Sequence, residues 1–228
     1  MSSARTPDSR IHAAGGRPAW VVERALFALP VTVGVGVLGA AGELFAATPI
    51  GLIAVVAATS GYLVCSLLVG VGCWLDARRL RRLRGGWSPR GWLWAVASLL
   101  IAPLVGVAYL HRRHARVGTV AAADWWWAVV VVGLVLPVVG LLTAAGGALL
   151  SVPALVGSGL ALAGVVTVGA VPGALYLDAS LVRTDPNPWR PNPALYLGLA
   201  LVGLSLFPLQ PGVSAYYLGQ RRRYLGGP

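Results

Sequence analysis

The chain alternates between long apolar runs without a single charged residue and short segments that carry all of its arginines. A membrane-spanning helix needs roughly 17–25 apolar residues, which is about the length of each run. None of the runs alternates polar and apolar positions as a membrane strand does, and a helix keeps its backbone hydrogen bonds internal, as lipid requires. We therefore predict an all-α integral membrane protein with six hydrophobic helical segments, at 25–42, 49–75, 92–110, 125–150, 153–177 and 194–217.

A short motif occurs once in each half of the chain. Trp-Leu-Asp-Ala at 74–77 is echoed by Tyr-Leu-Asp-Ala at 176–179, and a Trp-x-Pro follows the aspartate by 11 residues in both copies, at 87–89 and 189–191. Recurrence at a fixed spacing indicates an internal repeat. We predict a polar N-terminal tail (1–19) and two tandem three-segment membrane repeats, at 20–118 and 124–228.

The third segment of each repeat has two alternative arrangements. If it crosses the membrane and the N-terminus is cytoplasmic, thirteen arginines lie inside and five outside, so the positive-inside rule holds overall but fails locally. If it is a re-entrant hairpin, broken at Pro103 or at 208–211, all eighteen arginines are cytoplasmic. We expect the crossing, because 19 residues are few for two half-helices and broken backbone needs protein cover in the bilayer. The hairpin is the alternative.

Composition supports the membrane assignment. Hydrophobic residues make up 57% of the chain and charged residues only 11%, with a mean hydropathy of +0.76, whereas soluble domains carry about 25% charged residues. The net charge of +11 comes entirely from arginine. Because the arginines flank apolar runs, we expect them to face anionic lipid headgroups at the cell membrane, with most Arg-rich loops cytoplasmic, and not to bind nucleic acid.

One basic segment is the leading candidate for lipid contact. In 78–84 two leucines fall on one helical stripe and arginines occupy the rest, a pattern that suits a helix on an anionic headgroup layer. The ordinary role of such a segment is a positive-inside anchor, and we favour that over recognition of a particular lipid. The candidate headgroup contacts are Arg78, Arg79, Arg81, Arg82 and Arg84.

Asp76 and Asp178 are the most distinctive polar residues, since each closes a long apolar run directly after an aromatic-leucine pair. We favour an interfacial ion pair with arginine; the alternative is a cation site or a proton relay. The expected partners are Arg79 or Arg112 for Asp76, and Arg183 or Arg221 for Asp178.

The sequence offers little for catalysis. Its three histidines (12, 111 and 114) lie outside the apolar runs, so we expect no buried imidazole for a haem or zinc site. No run contains a serine with a histidine base or a pair of carboxylates. The absence of lysine excludes a Schiff-base cofactor. We therefore expect no enzyme: no catalytic residue, no cofactor and no metal.

The motifs of 74–118 and 176–226 resemble those of small multi-pass membrane proteins of haloarchaeal type. Those proteins carry an acidic residue that closes a span, then W-x-P-x-P, a proline-broken apolar run and Y-L-x-R-R. The second repeat keeps both prolines in 189–193, whereas the first departs at Gly91. The resemblance implies a multi-pass membrane fold and no established activity, and it carries over no functional residue.

Two function classes follow. The first is a non-enzymatic membrane scaffold, regulator or helper. The second is a small-solute or ion transporter or channel, which internal duplication favours and the lack of charge deep in a span disfavours. A polar cavity at the bilayer midplane, lined by both repeats, would favour transport. The lipid bilayer is the expected partner, and the sequence leaves open both homo-oligomer formation and association with another membrane protein.

Overall fold

The computed structural model describes residues 16–46, 49–82, 87–205 and 209–225, which form helices joined by short loops and contain no strand. Most of the predicted tail (1–15), Arg84 and Pro208 lie outside the described residues. Val166–Ala170 forms a π-helical turn. The helices are α1 (Arg17–Ala46), α2 (Pro49–Arg82), α3 (Gly91–Arg116), α4 (Trp126–Leu149), α5 (Pro153–Val165), α6 (Val171–Thr184), α7 (Pro193–Ser205) and α8 (Leu209–Leu225).

In the described part of the chain, five stretches are long and apolar enough to cross a membrane. They are Arg17–Val37, Gly51–Arg82, Gly91–Arg116, Trp126–Leu149 and Pro153–Thr184. Their outer faces carry many exposed leucines and valines, among them Leu100 at 78% and Leu149 at 87% exposure. A water-soluble monomer does not leave so much contiguous apolar surface uncovered. The chain is therefore an all-helical membrane protein, as its composition predicts.

Two antiparallel helix pairs form the frame. In the first, Gly61 of α2 packs against Thr32 of α1, and Gly39 of α1 packs against Ala54 of α2. In the second, Gly140 of α4 lies directly on the backbone of α5. An added Cβ at any of these glycines would collide with the facing helix, so small residues set the close approach, as is common between helices in lipid.

The helix α3 is two arms joined by a sharp break. Ile101 has φ −142° and ψ 66°, outside the helical range, and Pro103 follows two residues later. Proline removes a backbone donor and its ring clashes with the preceding turn, so a helix breaks or kinks there. The first arm runs antiparallel to α2, because Ser98 Oγ lies 3.5 Å from the Ser66 carbonyl and Gly91 packs against Trp74.

The second arm of α3 returns to the end where the first arm began. Arg113 Nε lies 2.8 Å from Asp76 Oδ2, and Asp76 is two residues from Trp74, which contacts Gly91. In a straight helix, 22 residues would separate Gly91 from Arg113 by about 33 Å. Both ends of α3 therefore lie beside the same end of α2.

Helices α7 and α8 form a second hairpin of the same kind. The rings of Tyr196 and Tyr217 lie with their centroids 4.8 Å apart, although a straight helix would separate these residues by about 31 Å. Near the turn, Gly203 packs against Gln210. In both halves the contacts follow the hairpin alternative and differ from the crossing that we expected.

Folding back brings the basic residues together. The start of α1, the end of α2, both ends of α3, the end of α6, the start of α7 and the end of α8 meet at one end of the molecule, which we call the arginine end. Fifteen of the eighteen arginines lie in described residues, and all fifteen occur there. The two halves are joined by the contact of Val107 with Gly198.

Candidate interfacial polar site

A buried triad closes the first hairpin. Asp76 at the end of α2 accepts two hydrogen bonds at Oδ2, one from the Tyr109 hydroxyl at 2.8 Å and one from Arg113 Nε at 2.8 Å. Asp76 is 0% and Arg113 1% exposed. Tyr109 and Arg113 are four residues apart, so they share one face of the returning arm. The triad thus ties that arm to α2.

The second half repeats this arrangement. Asp178 near the end of α6 accepts from the Tyr217 hydroxyl at 2.7 Å and from Arg221 Nε at 2.9 Å. Tyr217 and Arg221 are again four residues apart on the returning arm. Asp178 is 0% exposed, whereas Arg221 is 13% exposed, so the second ion pair is closer to solvent than the first.

The tryptophan of each Trp-x-Pro motif packs on the tyrosine of its triad. The ring centroids of Trp87 and Tyr109 are 5.4 Å apart, and those of Trp189 and Tyr217 are also 5.4 Å apart. In the first half Trp94 adds an edge contact to Tyr109 at 5.3 Å. Aromatic pairs of this geometry contribute about 0.5–1.5 kcal/mol beyond their buried area. The tryptophan of the motif therefore covers the tyrosine of each triad and also lies where the hairpin begins.

The ion-pair partners differ in part from those that the sequence suggested. Asp178 pairs with Arg221, one of its two expected partners. Asp76 pairs with Arg113, which was not among its expected partners. The predicted Arg112 instead lies over the Trp94 ring, 5.5 Å from its centroid. One residue rotates a helical side chain by about 100°, so only position 113 shares the face of the triad tyrosine.

Each aspartate keeps spare acceptor capacity. The second carboxylate oxygen, Oδ1, of both Asp76 and Asp178 is buried without a hydrogen-bond partner in the described part of the chain. Within the same residues, no group of three histidine, cysteine, aspartate or glutamate side chains lies close enough to hold a metal ion. In both triads, Oδ2 takes the hydrogen bonds from the tyrosine and the arginine.

A cavity of about 490 Å³ opens at the arginine end between the two halves. The first half contributes the start of α1 and the end of α3, the second half contributes α4 and α6, and the linker between the halves forms one wall. Its polar lining residues are Arg17, Glu23, Arg24, Arg113, His114, Thr119, Tyr176 and Ser180.

A chain of hydrogen bonds crosses the cavity floor and joins the halves. The Tyr176 hydroxyl donates to Glu23 Oε1 at 2.7 Å, and His114 Nε2 lies 2.8 Å from the same hydroxyl. Because Tyr176 has a single hydroxyl hydrogen, His114 Nε2 must carry the proton that it shares. The other nitrogen, Nδ1, lies 3.1 Å from Thr119 Oγ1 and accepts its hydrogen when the ring is neutral.

The position of His114 corrects the expectation that no imidazole is buried. His114 is only 3% exposed, and Arg183 donates a hydrogen bond to its backbone carbonyl. The fold-back of α3 carries it from the supposed outer loop into the junction between the halves. In the sequence, His114 directly follows Arg113. This position indicates that His114 is buried only if the third segment is taken to fold back.

The cavity brings together guanidinium groups, one carboxylate, one imidazole and hydroxyls. The hydroxyls of Tyr176 and Thr119 lie within hydrogen-bond distance of the imidazole. No protein-family model, no curated protein and no solved structure matches this chain.

Proposed function

We propose that the protein is a non-enzymatic, multi-pass protein of the cell membrane that serves as a scaffold or lipid-facing helper, with its arginine end on the cytoplasmic headgroup layer. The observation that carries this proposal is the gathering of all fifteen described arginines at one end. Cytoplasmic loops of membrane proteins carry an excess of arginine and lysine, so this end faces the cytoplasm.

The proposal includes duplication of a three-segment unit. Two observations support it: the aspartate, tyrosine and arginine of the triads bond in the same pattern in both halves, and both third segments fold back. A unit of this kind cannot bury its hairpin alone, so two copies packed side by side give a stable body.

The hairpins enter and leave the membrane on the same side in this proposal. The α7 arm has 13 residues and is about 20 Å long, shorter than the hydrocarbon core of about 30 Å. Broken backbone is tolerated at that depth where protein covers it, and here α1 and α2 flank the first hairpin. Four stretches then cross the membrane: α1, α2, α4 and the continuous α5–α6.

The basic end of α2 provides the lipid-facing surface. Arg78, Arg81 and Arg82 line an open cleft of about 410 Å³. Arginines at an anionic surface contribute about 1 kcal/mol each to membrane attraction. Three of the candidate headgroup contacts thus act together, and the fourth described candidate, Arg79, lies at the same end.

Transport is the second candidate, and the cavity between the halves is the observation that favours it. All the residues that line this cavity belong to the arginine end, which is the level of the headgroups and not the midplane. A cavity at this depth fits binding at the membrane surface better than passage across the membrane, so the scaffold or helper role is preferred.

Cysteine labelling tests the orientation. Single cysteines replace Arg81, Arg116 and Leu150 in sealed vesicles, on a background in which the buried Cys65 and Cys73 are changed to alanine. A membrane-impermeant maleimide should reach positions 81 and 116 from the same side and position 150 from the opposite side. Labelling of position 116 together with 150 would show that α3 crosses and would refute the hairpin arrangement.

A flux assay tests the function class. The purified protein in liposomes should give no flux of alkali cations, chloride or small solutes above protein-free vesicles. Flux that an Asp76→Asn, Asp178→Asn variant abolishes would replace the scaffold proposal with transport through an ion site.

A further inference from the structure

The cavity at the arginine end contains charged residues that the duplication does not explain. In the register that aligns Pro30 with Pro137, Glu23 and Arg24 correspond to Val130 and Val131, and Arg17 corresponds to Asp124. The triads, by contrast, occur in both halves and serve the hairpins. A polar set that is present once, at the junction of the halves, is not explained by the repeated hairpins.

The electrostatics of the cavity favour an anion. Arg17 and Arg24 are exposed and line the cavity together with Arg113, against a single carboxylate, Glu23. Arg113 is ion-paired with Asp76, and Glu23 accepts a hydrogen bond from Tyr176. The two outer guanidinium groups therefore dominate the field at the opening, and guanidinium forks match the oxygens of a phosphate.

The rest of the wall suits the adjoining part of an amphiphile. Trp20, Leu177, Trp126 and the alanines at 121–123 supply an apolar lining, and the Arg24 guanidinium lies over the Trp20 ring, 5.3 Å from its centroid. Indole rings favour the level where headgroups meet acyl chains. A volume of about 490 Å³ is within the ordinary range of small-molecule sites, roughly 300–1,000 Å³.

We propose that this cavity binds one anionic phospholipid by its phosphate-bearing headgroup, with the phosphate at Arg17 and Arg24 and hydroxyls of the headgroup at Thr119. The proposal rests on the proposed function, because it requires the arginine end to lie at headgroup level. It adds a defined, saturable site to the diffuse attraction of the α2 arginines.

The test uses the full chain, purified in detergent, and native mass spectrometry to count bound lipid. Phosphatidylglycerol is the probe, phosphatidylcholine is the comparison with a zwitterionic headgroup of no net charge, and glycerol phosphate and inorganic phosphate are the lipid-free comparisons. We expect one phosphatidylglycerol per chain, with phosphatidylcholine at least about tenfold weaker. Inorganic phosphate at the same concentration should not displace the lipid.

Charge variants locate the site. Arg17→Gln with Arg24→Gln should weaken phosphatidylglycerol binding at least about tenfold, since two charge-assisted contacts are lost. The matched control, Arg222→Gln with Arg223→Gln, removes two exposed arginines of the same end that do not line the cavity, and it should retain the bound lipid. Glu23→Gln should strengthen binding, because it removes a like charge and keeps an acceptor for Tyr176.

Three outcomes would overturn the proposal. Equal losses in the Arg17/Arg24 and Arg222/Arg223 variants would mean diffuse attraction only. Weaker binding in Glu23→Gln would mean that the Glu23 carboxylate holds the headgroup and that the two arginines do not set the site. Displacement by inorganic phosphate would make free phosphate the ligand. None of these results alters the cysteine labelling pattern, so failure of the lipid site and failure of the membrane orientation are distinguishable.

Discussion

Replacing Asp76 by asparagine tests whether the buried triads hold the hairpins in place. Asparagine has nearly the same size and keeps an oxygen that can accept from Tyr109, so packing is preserved. What is lost is the negative charge that Arg113 meets at 2.8 Å. Arg113 is only 1% exposed, so water cannot readily replace the carboxylate.

The magnitude follows from burial. Removal of one partner from a buried ion pair destabilises a protein by about 3–5 kcal/mol, because the other charge loses the compensation of that pair. We expect a loss in this range for Asp76→Asn. Asp178→Asn should cost less, since its partner Arg221 is 13% exposed and can be partly hydrated. The matched pair of variants thus isolates the effect of solvent access.

The free energy of unfolding is measured by titration of SDS into mixed micelles, followed through the fluorescence of the nine tryptophans. A third variant separates charge from packing: Asp76→Leu, Tyr109→Phe and Arg113→Met replace the whole triad by apolar side chains. Substitution of an entire buried ion pair is often neutral, so this variant should recover most of the stability lost in Asp76→Asn.

Two results would refute the reasoning. A change below about 1 kcal/mol in both single variants would show that the triads contribute no more than surface ion pairs do. A larger loss for Asp178→Asn than for Asp76→Asn would show that solvent access of the arginine does not set the cost.

Two further predictions concern helix contact and the junction between the halves. Gly140→Val should cost about 1–3 kcal/mol or more, because its Cβ would collide with the Gly159 backbone; Gly157→Val, with open space at its Cβ, is the control and should change stability little in the same SDS titration. Tyr176→Phe removes the hydroxyl that links the buried His114 to the half-buried Glu23 and should cost about 1–3 kcal/mol, whereas Tyr216→Phe, at an exposed ring, should unfold at the wild-type SDS concentration.

The membrane class of the fold could be predicted from the sequence, because it depends on local quantities. An apolar run without charge must be covered by lipid or protein, and its length relates directly to bilayer thickness. The need of Asp76 and Asp178 for a positively charged partner could be predicted in the same way. A charged residue at the end of an apolar run needs a partner, and the structure supplies an arginine for each.

The sequence could not show which arginine pairs with Asp76. Arg112 and Arg113 are adjacent and chemically identical, so only the rotational phase of the returning arm decides which of them meets Asp76. That phase depends on where the helix breaks, at Ile101. A shift of one residue in the break would turn the face by about 100° and present a different side chain.

What the sequence by itself determined is therefore where the chain is apolar, where it is charged and which short motifs recur. Only the tertiary structure decided the direction of the third segments. A kinked crossing and a hairpin both consist of about twenty apolar residues around a proline, and they have the same composition and hydropathy. They differ in contacts between residues far apart in the chain, such as Tyr109 with Asp76 and His114 with Tyr176. Those contacts placed the arginines at one end and created the cavity between the halves, because chain reversal is a property of packing and not of any local pattern.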